Sequence, residues 1–143
     1  MPEMPNVLLV NRAVISENNR ILLLQRSHDD RRNPMLWEFP GGKMDTGEEL
    51  TVGLTREIKE ETGFVIETTS PIIHVESEFI RTGKYANRLY VALFHVAHIL
   101  EGSLALSEEH EDACWEEPEA VLSRDLTLES ALAFRSFRSA GII

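Results

Sequence analysis

Hydrophobic and polar residues alternate near the start of the chain in the way that β-strands do. Val7–Ile15 alternates loosely and is rich in branched residues, and Ile21–Gln25 forms a second apolar run. The intervening Glu17-Asn18-Asn19 is typical of a turn, so the two runs predict a β-hairpin. Residues 27–36 are predicted to form a polar loop, and Trp37-Glu38-Phe39 a short strand after it.

A helical period replaces the alternation over Glu48–Thr62. Its apolar residues recur every four positions, at Leu50, Leu54 and Ile58. That spacing predicts an amphipathic helix, and Gly63 stands where a glycine commonly ends one. Gly53 lies inside the predicted helix, where glycine costs about 1 kcal/mol relative to alanine. We expect that cost to be offset by a close approach of the helix to the neighbouring sheet.

The second half of the chain predicts more strands and a final helix. Ile72–Arg81 and Arg88–His98 are strand candidates separated by the turn-like Thr82-Gly83-Lys84, and another strand is expected around Ala113–Trp115. The segment from Leu128 to Ala140 has apolar residues near helical spacing. Strands, helix, strands and helix in this order favour a mixed β-sheet packed between helices.

Composition is that of an ordinary globular protein with an excess of negative charge. The chain has 143 residues, which suit one domain over residues 1–143, and its net charge is −10. That charge argues against a nucleic-acid polymer as partner, but it is compatible with a small phosphate substrate recognised through metal ions. The apolar runs are too short to cross a membrane, and the start of the chain has no basic flank typical of a signal peptide.

Cysteine usage indicates a reducing compartment. Cys114 is the only cysteine, which excludes an internal disulfide and favours a cytoplasmic location. Its mixed surroundings beside Trp115 predict a buried, inert thiol rather than a nucleophile. No G-x-S-x-G motif and no glycine-rich phosphate loop of the common types is present.

The residues with most chemical information lie in the first predicted helix. Glu57, Glu60 and Glu61 are related by three and four positions, so their carboxylates share one helix face. Such a cluster by itself is often only a solvated acidic face. Here Arg56 is adjacent and can bridge carboxylates, while Gly41-Gly42 upstream predicts a tight backbone feature whose carbonyls can approach a cation. Carboxylates and carbonyls are the ligands that Mg²⁺ prefers.

Residues 42–64 match the Nudix box, G-x5-E-x7-R-E-U-x-E-E-x-G-U, where U is a bulky apolar residue. The match includes every specified position: Gly42, Glu48, Arg56, Glu57, Ile58, Glu60, Glu61, Gly63 and Phe64. The preceding WEFPGGK, at Trp37–Lys43, resembles the MutT-like branch of the Nudix hydrolases. The chain is therefore identified as resembling that family, which implies an α/β/α sandwich and hydrolysis of a phosphoanhydride bond.

The resemblance implies roles for particular residues. The implied metal ligands for Mg²⁺, or for Mn²⁺, are the carbonyl of Gly41 and the carboxylates of Glu57, Glu60 and Glu61. Either Glu57 or Glu60 is implied as the general base, and Arg56 as the residue that orients the glutamates. Gly42 and Gly63 are structural positions of the motif, and Glu48 is implied to be a structural or outer metal contact.

A further acidic ligand is implied from a loop before the last strand. Glu109 is the first candidate and Glu111 the second, both within the acidic run SEEHED, although a solvated loop is an equal alternative. His110, between them, is expected to lie on the surface.

Substrate contacts are less well determined by the sequence. Arg26, Lys43 and Tyr85 are the predicted substrate-binding residues, whereas Phe79 and Tyr90 are expected in the core. The array SQPWPFPxS of the NADH-cleaving branch is absent, and so is the proline expected some fifteen residues after the box in ADP-ribose hydrolases. The short chain and WEFPGGK favour a nucleoside triphosphate, either ordinary or oxidised.

Several alternatives stay open at this point. The main ones are an ADP-ribose or nucleotide-sugar pyrophosphatase and a nucleotide-sensing module with little turnover. A prenyl diphosphate isomerase is disfavoured by the intact REIKEE, and an RNA-decapping enzyme by the net charge. A homodimer is compatible with the sequence, which contains no pattern that tests it.

Overall fold

The computed structural model describes residues 6–143 as a sheet with helices on both of its faces. The strands are β1 (Val7–Glu17), β2 (Arg20–Arg26), β3 (Trp37–Glu38), β4 (Gly41–Lys43), β5 (Val65–Ile80), β6 (Arg88–Glu101) and β7 (His110–Glu116). The α-helices are α1 (Leu50–Thr62) and α2 (Leu128–Ser139), and a 3₁₀ helix runs over Pro118–Ser123.

The sheet is mixed, because the first and sixth strands run parallel. β1 pairs with β6 over Val7–Ile15, while β4 pairs antiparallel with β1, and β5 with β6. β2 joins β1 through the predicted hairpin, in which Asn18 and Asn19 both have positive φ. β2 also pairs antiparallel with β3 and with β7, so all seven strands form one sheet.

Side chains of successive residues in β2 point to opposite faces of the sheet. Ile21 and Leu23 pack in the cluster with Phe134 and Phe137 of α2, whereas Leu22 and Leu24 pack with residues of α1. This alternation is the period of two that an extended strand imposes. The predicted α/β/α sandwich is therefore confirmed, with one hydrophobic cluster on each face of the sheet.

Several predicted bounds shift in the structure. α1 begins at Leu50, two residues after the predicted start, and β5 begins at Val65 rather than at Ile72. Gly41–Lys43 is a short strand that hydrophobic periodicity does not reveal, because two of its three residues are glycine. No helix within residues 6–143 is long and apolar enough to cross a membrane.

Burial of individual side chains corrects some expectations. Phe79 is 49% exposed on β5, so the prediction that it lies in the core is wrong. Tyr90 is partly buried against the α2-side cluster. Cys114 is half-buried, and burial raises the pKa of its thiol, which agrees with an inert group. A Cβ at Gly53 would lie 2.6 Å from Sδ of Met44, so the close neighbour is this side chain and not the sheet itself.

Candidate active site

Helix α1 holds three glutamates of different exposure along one edge of a cavity. Glu61, near the C-terminal end of the helix, is 3% exposed, Glu57 is partly buried, and the side chain of Glu60 is 60% exposed. Gly63, with φ of 80°, ends the helix, and its backbone N–H donates to the carbonyl of Lys59. The predicted C-cap glycine is therefore confirmed.

Arg56 connects the glutamates to the start of the helix. Its Nε and Nη2 donate hydrogen bonds of 2.7 and 2.9 Å to the two oxygens of Glu48, and Nη1 donates to Glu57 at 3.0 Å and to Glu60 at 3.2 Å. A planar guanidinium is suited to several carboxylates at once. The hydrogen bonds from Arg56 hold the pKa of Glu48 at about 2.

Gly41 and Gly42, at the start of β4, pack directly against two of these glutamates. The N–H of Gly41 donates to Oε2 of Glu61 at 3.0 Å. A Cβ at Gly42 would lie 2.4 Å from Oε2 of Glu57, and one at Gly41, where φ is 146°, would lie 2.0 Å from the carbonyl oxygen of Asn11. The tight backbone predicted here is confirmed, because neither position has room for a side chain.

The carbonyl of Gly41, implied above as a metal ligand, accepts a hydrogen bond of 3.2 Å from the buried guanidinium of Arg12. A carbonyl oxygen has two lone pairs, so this bond leaves one for a second partner. Arg12 also pairs with Glu129 at 2.9 Å and with Glu38 at 3.5 Å. Arg12 thus fixes the position of this carbonyl from inside the protein.

Burial raises the pKa of Glu61 well above its ordinary value, and the nearby carboxylates of Glu38 and Glu109 act in the same direction. For Glu57, burial also raises the pKa, with Glu60 and Glu109 adding to the effect. Like charges that are close together disfavour ionisation. Such a group of carboxylates can be fully ionised only when positive charge from outside the protein lies close to it.

The loop before β7 forms the other wall of the cavity. This cavity, about 320 Å³ in volume, is lined by Glu57, Glu60, Glu61, Ser107, Glu108 and Glu109. The N–H of Ser107 donates to the carbonyl of Glu61 at 3.2 Å, which ties the loop to α1. Glu109 therefore faces the helix glutamates, whereas Glu111 accepts hydrogen bonds from the backbone and the ring of His28.

His110 is buried, so the prediction that it lies on the surface is wrong. Its side chain is 2% exposed, and Nε2 lies 2.8 Å from Oε2 of Glu38, which is equally buried. Burial alone would raise the pKa of Glu38, but Arg12, His110 and Arg26 together lower it to about 2. This buried polar group is not apparent from the sequence. The one sequence feature that indicates it is a charged residue, Arg12, within an apolar strand.

Of the three predicted substrate contacts, Lys43 and Tyr85 form a pair, whereas Arg26 has other partners. The ammonium of Lys43 hydrogen-bonds to the hydroxyl of Tyr85 and lies 4.5 Å from the centre of its ring. Lys84 and Arg88 each lie 5.5 Å from the same centre. Arg26 instead donates two hydrogen bonds of 2.9 Å to Glu38 and also pairs with Asp30.

The donor set fits a hard divalent cation. Glu57, Glu60, Glu61 and Glu109 supply carboxylate oxygens from two separate segments, and the backbone N–H of Gly41 is hydrogen-bonded to Glu61. Mg²⁺ and Mn²⁺ take oxygen ligands of this kind and leave positions for water and for phosphate oxygens.

Comparisons with known proteins identify the family of this chain. A model of the NUDIX domain matches residues 7–137. Nucleoside triphosphatase NudI of Escherichia coli O139:H28 is 29% identical over 125 residues, which cover 83% of this chain and 89% of that protein.

Two solved structures have a similar fold. A MutT protein from Methanosarcina mazei Go1 has a TM-score of 0.81 and 25% identity, covering 98% of this chain and 99% of that one. A MutT NUDIX hydrolase from Burkholderia pseudomallei has a TM-score of 0.76 and 26% identity, covering 91% of this chain and 97% of that one. The chain belongs to the Nudix family, in its MutT-like branch, and is a Nudix hydrolase.

Proposed function

We propose that this enzyme hydrolyses a nucleoside triphosphate to a nucleoside monophosphate and pyrophosphate, with Mg²⁺ or Mn²⁺ held by Gly41, Glu57, Glu60, Glu61 and Glu109. The observation that carries the proposal is the convergence of five glutamates, these four and Glu108, on one cavity from two segments far apart in the chain. A solvated acidic face on α1 alone would not require Glu109 to lie opposite it.

When bound, the cation would neutralise charge on the phosphate oxygens and lower the pKa of the attacking water. Glu57 or Glu60 accepts the proton of that water. The water oxygen bonds to phosphorus, the bridging P–O bond breaks, and its electron pair leaves with the pyrophosphate. Arg56, bonded to Glu48, Glu57 and Glu60, holds these carboxylates in place for the step.

The Lys43–Tyr85 pair supports a nucleotide as substrate. Lys43 and the neighbouring cations place positive charge around one aromatic ring in a chain whose net charge is −10. The backbone carbonyl of Lys43 accepts a hydrogen bond of 3.4 Å from Arg56, so the pair lies next to the carboxylates. We assign phosphate binding to Lys43 and base stacking to Tyr85. The relatives named nucleoside triphosphatase and MutT favour the same substrate class.

The enzyme is expected to act in the cytoplasm, since its single cysteine suits a reducing compartment. Its substrate is a small molecule, because the net charge disfavours a nucleic-acid polymer.

The test is release of pyrophosphate and phosphate from a panel of substrates in the presence of Mg²⁺ and of Mn²⁺. The panel contains ordinary and oxidised nucleoside triphosphates, ADP-ribose, nucleotide sugars and dinucleoside polyphosphates. Glu60→Gln is expected to lower kcat by roughly 10²-fold or more, since it removes a ligand and a candidate base. Glu119→Gln, an exposed glutamate on the 3₁₀ helix, is the matched control and should behave like wild type.

Turnover of triphosphates by wild type and control, and its loss in Glu60→Gln, would support both the site and the substrate class. Turnover confined to ADP-ribose or nucleotide sugars would overturn the substrate assignment. Unchanged activity in Glu60→Gln would overturn the assigned site, and nucleotide binding without any turnover would indicate a sensing module.

A further inference from the structure

His110 begins β7 directly after Glu109, and it turns its ring away from solvent. The ring is 2% exposed, and Nε2 lies 2.8 Å from Oε2 of Glu38. Glu38 is itself paired with Arg26 at 2.9 Å and with Arg12 at 3.5 Å. Two guanidiniums therefore keep Glu38 ionised, and an ionised carboxylate can only accept a hydrogen bond.

The identity of the acceptor determines the tautomer of the histidine. Because Glu38 has no proton to give, Nε2 of His110 must carry the N–H of the bond. A neutral imidazole with its proton on Nε2 has a free lone pair on Nδ1. That nitrogen is buried and has no hydrogen-bond partner among residues 6–143.

A buried ring nitrogen without a hydrogen-bond partner is unfavourable, so the groups around it indicate what it can bind. A ring nitrogen of His110 and one carboxylate oxygen each of Glu61 and Glu109 lie within 4.8 Å of one another. One ring nitrogen and two carboxylates, grouped in this way, can donate electron pairs to one cation when the imidazole carries only its Nε2 proton. Histidines that bind metals typically donate their other ring N–H to a carboxylate, which is what His110 does towards Glu38.

We propose that His110 supplies a nitrogen ligand to one divalent cation held beside Glu61 and Glu109, and that Glu38 orients the imidazole for this purpose. The proposal deepens the proposed function, on whose metal site it rests. Its consequence is a preference of this cation position for Mn²⁺ or Co²⁺ over Mg²⁺. Imidazole nitrogen suits transition metals, whereas Mg²⁺ strongly prefers oxygen ligands.

Pulsed electron paramagnetic resonance of the full chain loaded with Mn²⁺ tests the ligand directly. A nitrogen bound to Mn²⁺ gives a characteristic modulation of the spin echo, which oxygen ligands do not give. We expect this modulation in wild type and its loss in His110→Gln. His98→Gln is the matched control, because His98 lies on β6 and pairs with Glu67 at 3.2 Å. His28→Gln tests the other histidine near this loop, since His28 pairs with Glu111.

Calorimetric titration with each metal alone gives a second readout. His110→Gln is expected to weaken Mn²⁺ binding roughly 10-fold or more, the size usual for residues that ligate or orient at a metal site. Binding of Mg²⁺ should change about 3-fold or less, because glutamine leaves the oxygen ligands in place.

Absence of nitrogen modulation in wild type would overturn the proposal by itself, whether or not His110→Gln folds. Modulation that survives in His110→Gln but disappears in His28→Gln would also overturn it. If Mn²⁺ binds without nitrogen modulation and Glu57→Gln weakens that binding, only the role of His110 fails. If neither Mn²⁺ nor Mg²⁺ binds to wild type, the metal site of the proposed function fails as well.

Discussion

The backbone N–H of Gly41 donates a hydrogen bond of 3.0 Å to Oε2 of Glu61, whose residue is 3% exposed. This bond joins β4 to the last glutamate of α1. Because both residues are buried, this bond fixes the Glu61 carboxylate relative to the backbone of Gly41. The fold itself therefore holds these two parts of the site together.

Glu61→Gln is expected to stabilise the metal-free protein. The amide oxygen of glutamine can still accept the N–H of Gly41, while the buried negative charge near Glu109 is removed. A gain of about 1 kcal/mol or more in the free energy of unfolding is expected, since a buried charge without a full partner costs at least as much. Thermal unfolding with and without Mn²⁺ measures this. The variant should have the higher Tm without metal and a smaller rise in Tm on adding Mn²⁺. A lower Tm than wild type in metal-free buffer contradicts the prediction.

Arg12→Met is expected to destabilise the fold by about 3 kcal/mol, because it removes the buried guanidinium that pairs with both Glu38 and Glu129. Urea unfolding followed by circular dichroism gives the free energy of unfolding. Arg135→Met, which changes an exposed arginine on α2, serves as the control and should stay within about 0.5 kcal/mol of wild type. Equal stabilities of the two variants would show that the Arg12 network contributes little.

Gly42→Ala is expected to abolish turnover and weaken Mn²⁺ binding, while the protein still folds. The added methyl group would lie 2.4 Å from Oε2 of Glu57, so this carboxylate must leave its present position in the site. Gly141→Ala is a matched control, since a Cβ there meets nothing within 4 Å. The control should keep its activity although the left-handed φ of 69° costs about 1 kcal/mol of stability. Calorimetric titration with Mn²⁺ compares the two, and normal binding by Gly42→Ala is the contradicting result.

Lys43→Met is expected to raise KM for a nucleoside triphosphate roughly 10-fold and to change kcat less, because it removes one positive charge that we assign to substrate binding. Tyr85→Phe removes the hydroxyl bonded to Lys43 but keeps the ring, and it should have a smaller effect on KM. Steady-state kinetics separates the two constants. A fall in kcat with unchanged KM in Lys43→Met would place that residue in the chemical step instead.

The two tyrosines should ionise at well separated pH. The hydrogen bond from Lys43, together with nearby positive charge, lowers the pKa of Tyr85, whereas burial raises the pKa of Tyr90 from 10.0 to about 12. An unfolded chain loses the Tyr90 proton near pH 10, so between pH 10 and 12 the folded state binds more protons and stability falls as pH rises.

The near-ultraviolet absorbance of tyrosinate follows both ionisations. Tyr85→Phe should remove the earlier step of the titration and Tyr90→Phe the later one. Tyr90→Phe should also reduce the loss of stability between pH 10 and 12. A single step near pH 10 in wild type would contradict the assigned environments.

Local sequence patterns are sufficient for the parts of this protein that depend on neighbours in the chain. The spacing of Glu57, Glu60 and Glu61 places them on one helix face, because a helix repeats every 3.6 residues or so. Gly63 ends that helix, and Asn18-Asn19 forms the hairpin turn, since each favours a left-handed backbone. The order of these elements also indicates the layered fold.

Contacts between distant segments are determined only in the tertiary structure. Whether Glu109 or Glu111 faces the helix depends on how the loop before β7 packs on α1 and on His28, which no periodicity encodes. His110 and Glu38 are polar residues whose burial becomes favourable only when Arg12 and Arg26 from other strands reach them. The motif and its helix can be inferred from the chain alone. Which polar groups share the interior depends on the folded structure, because a buried charge is stable only beside partners from other segments.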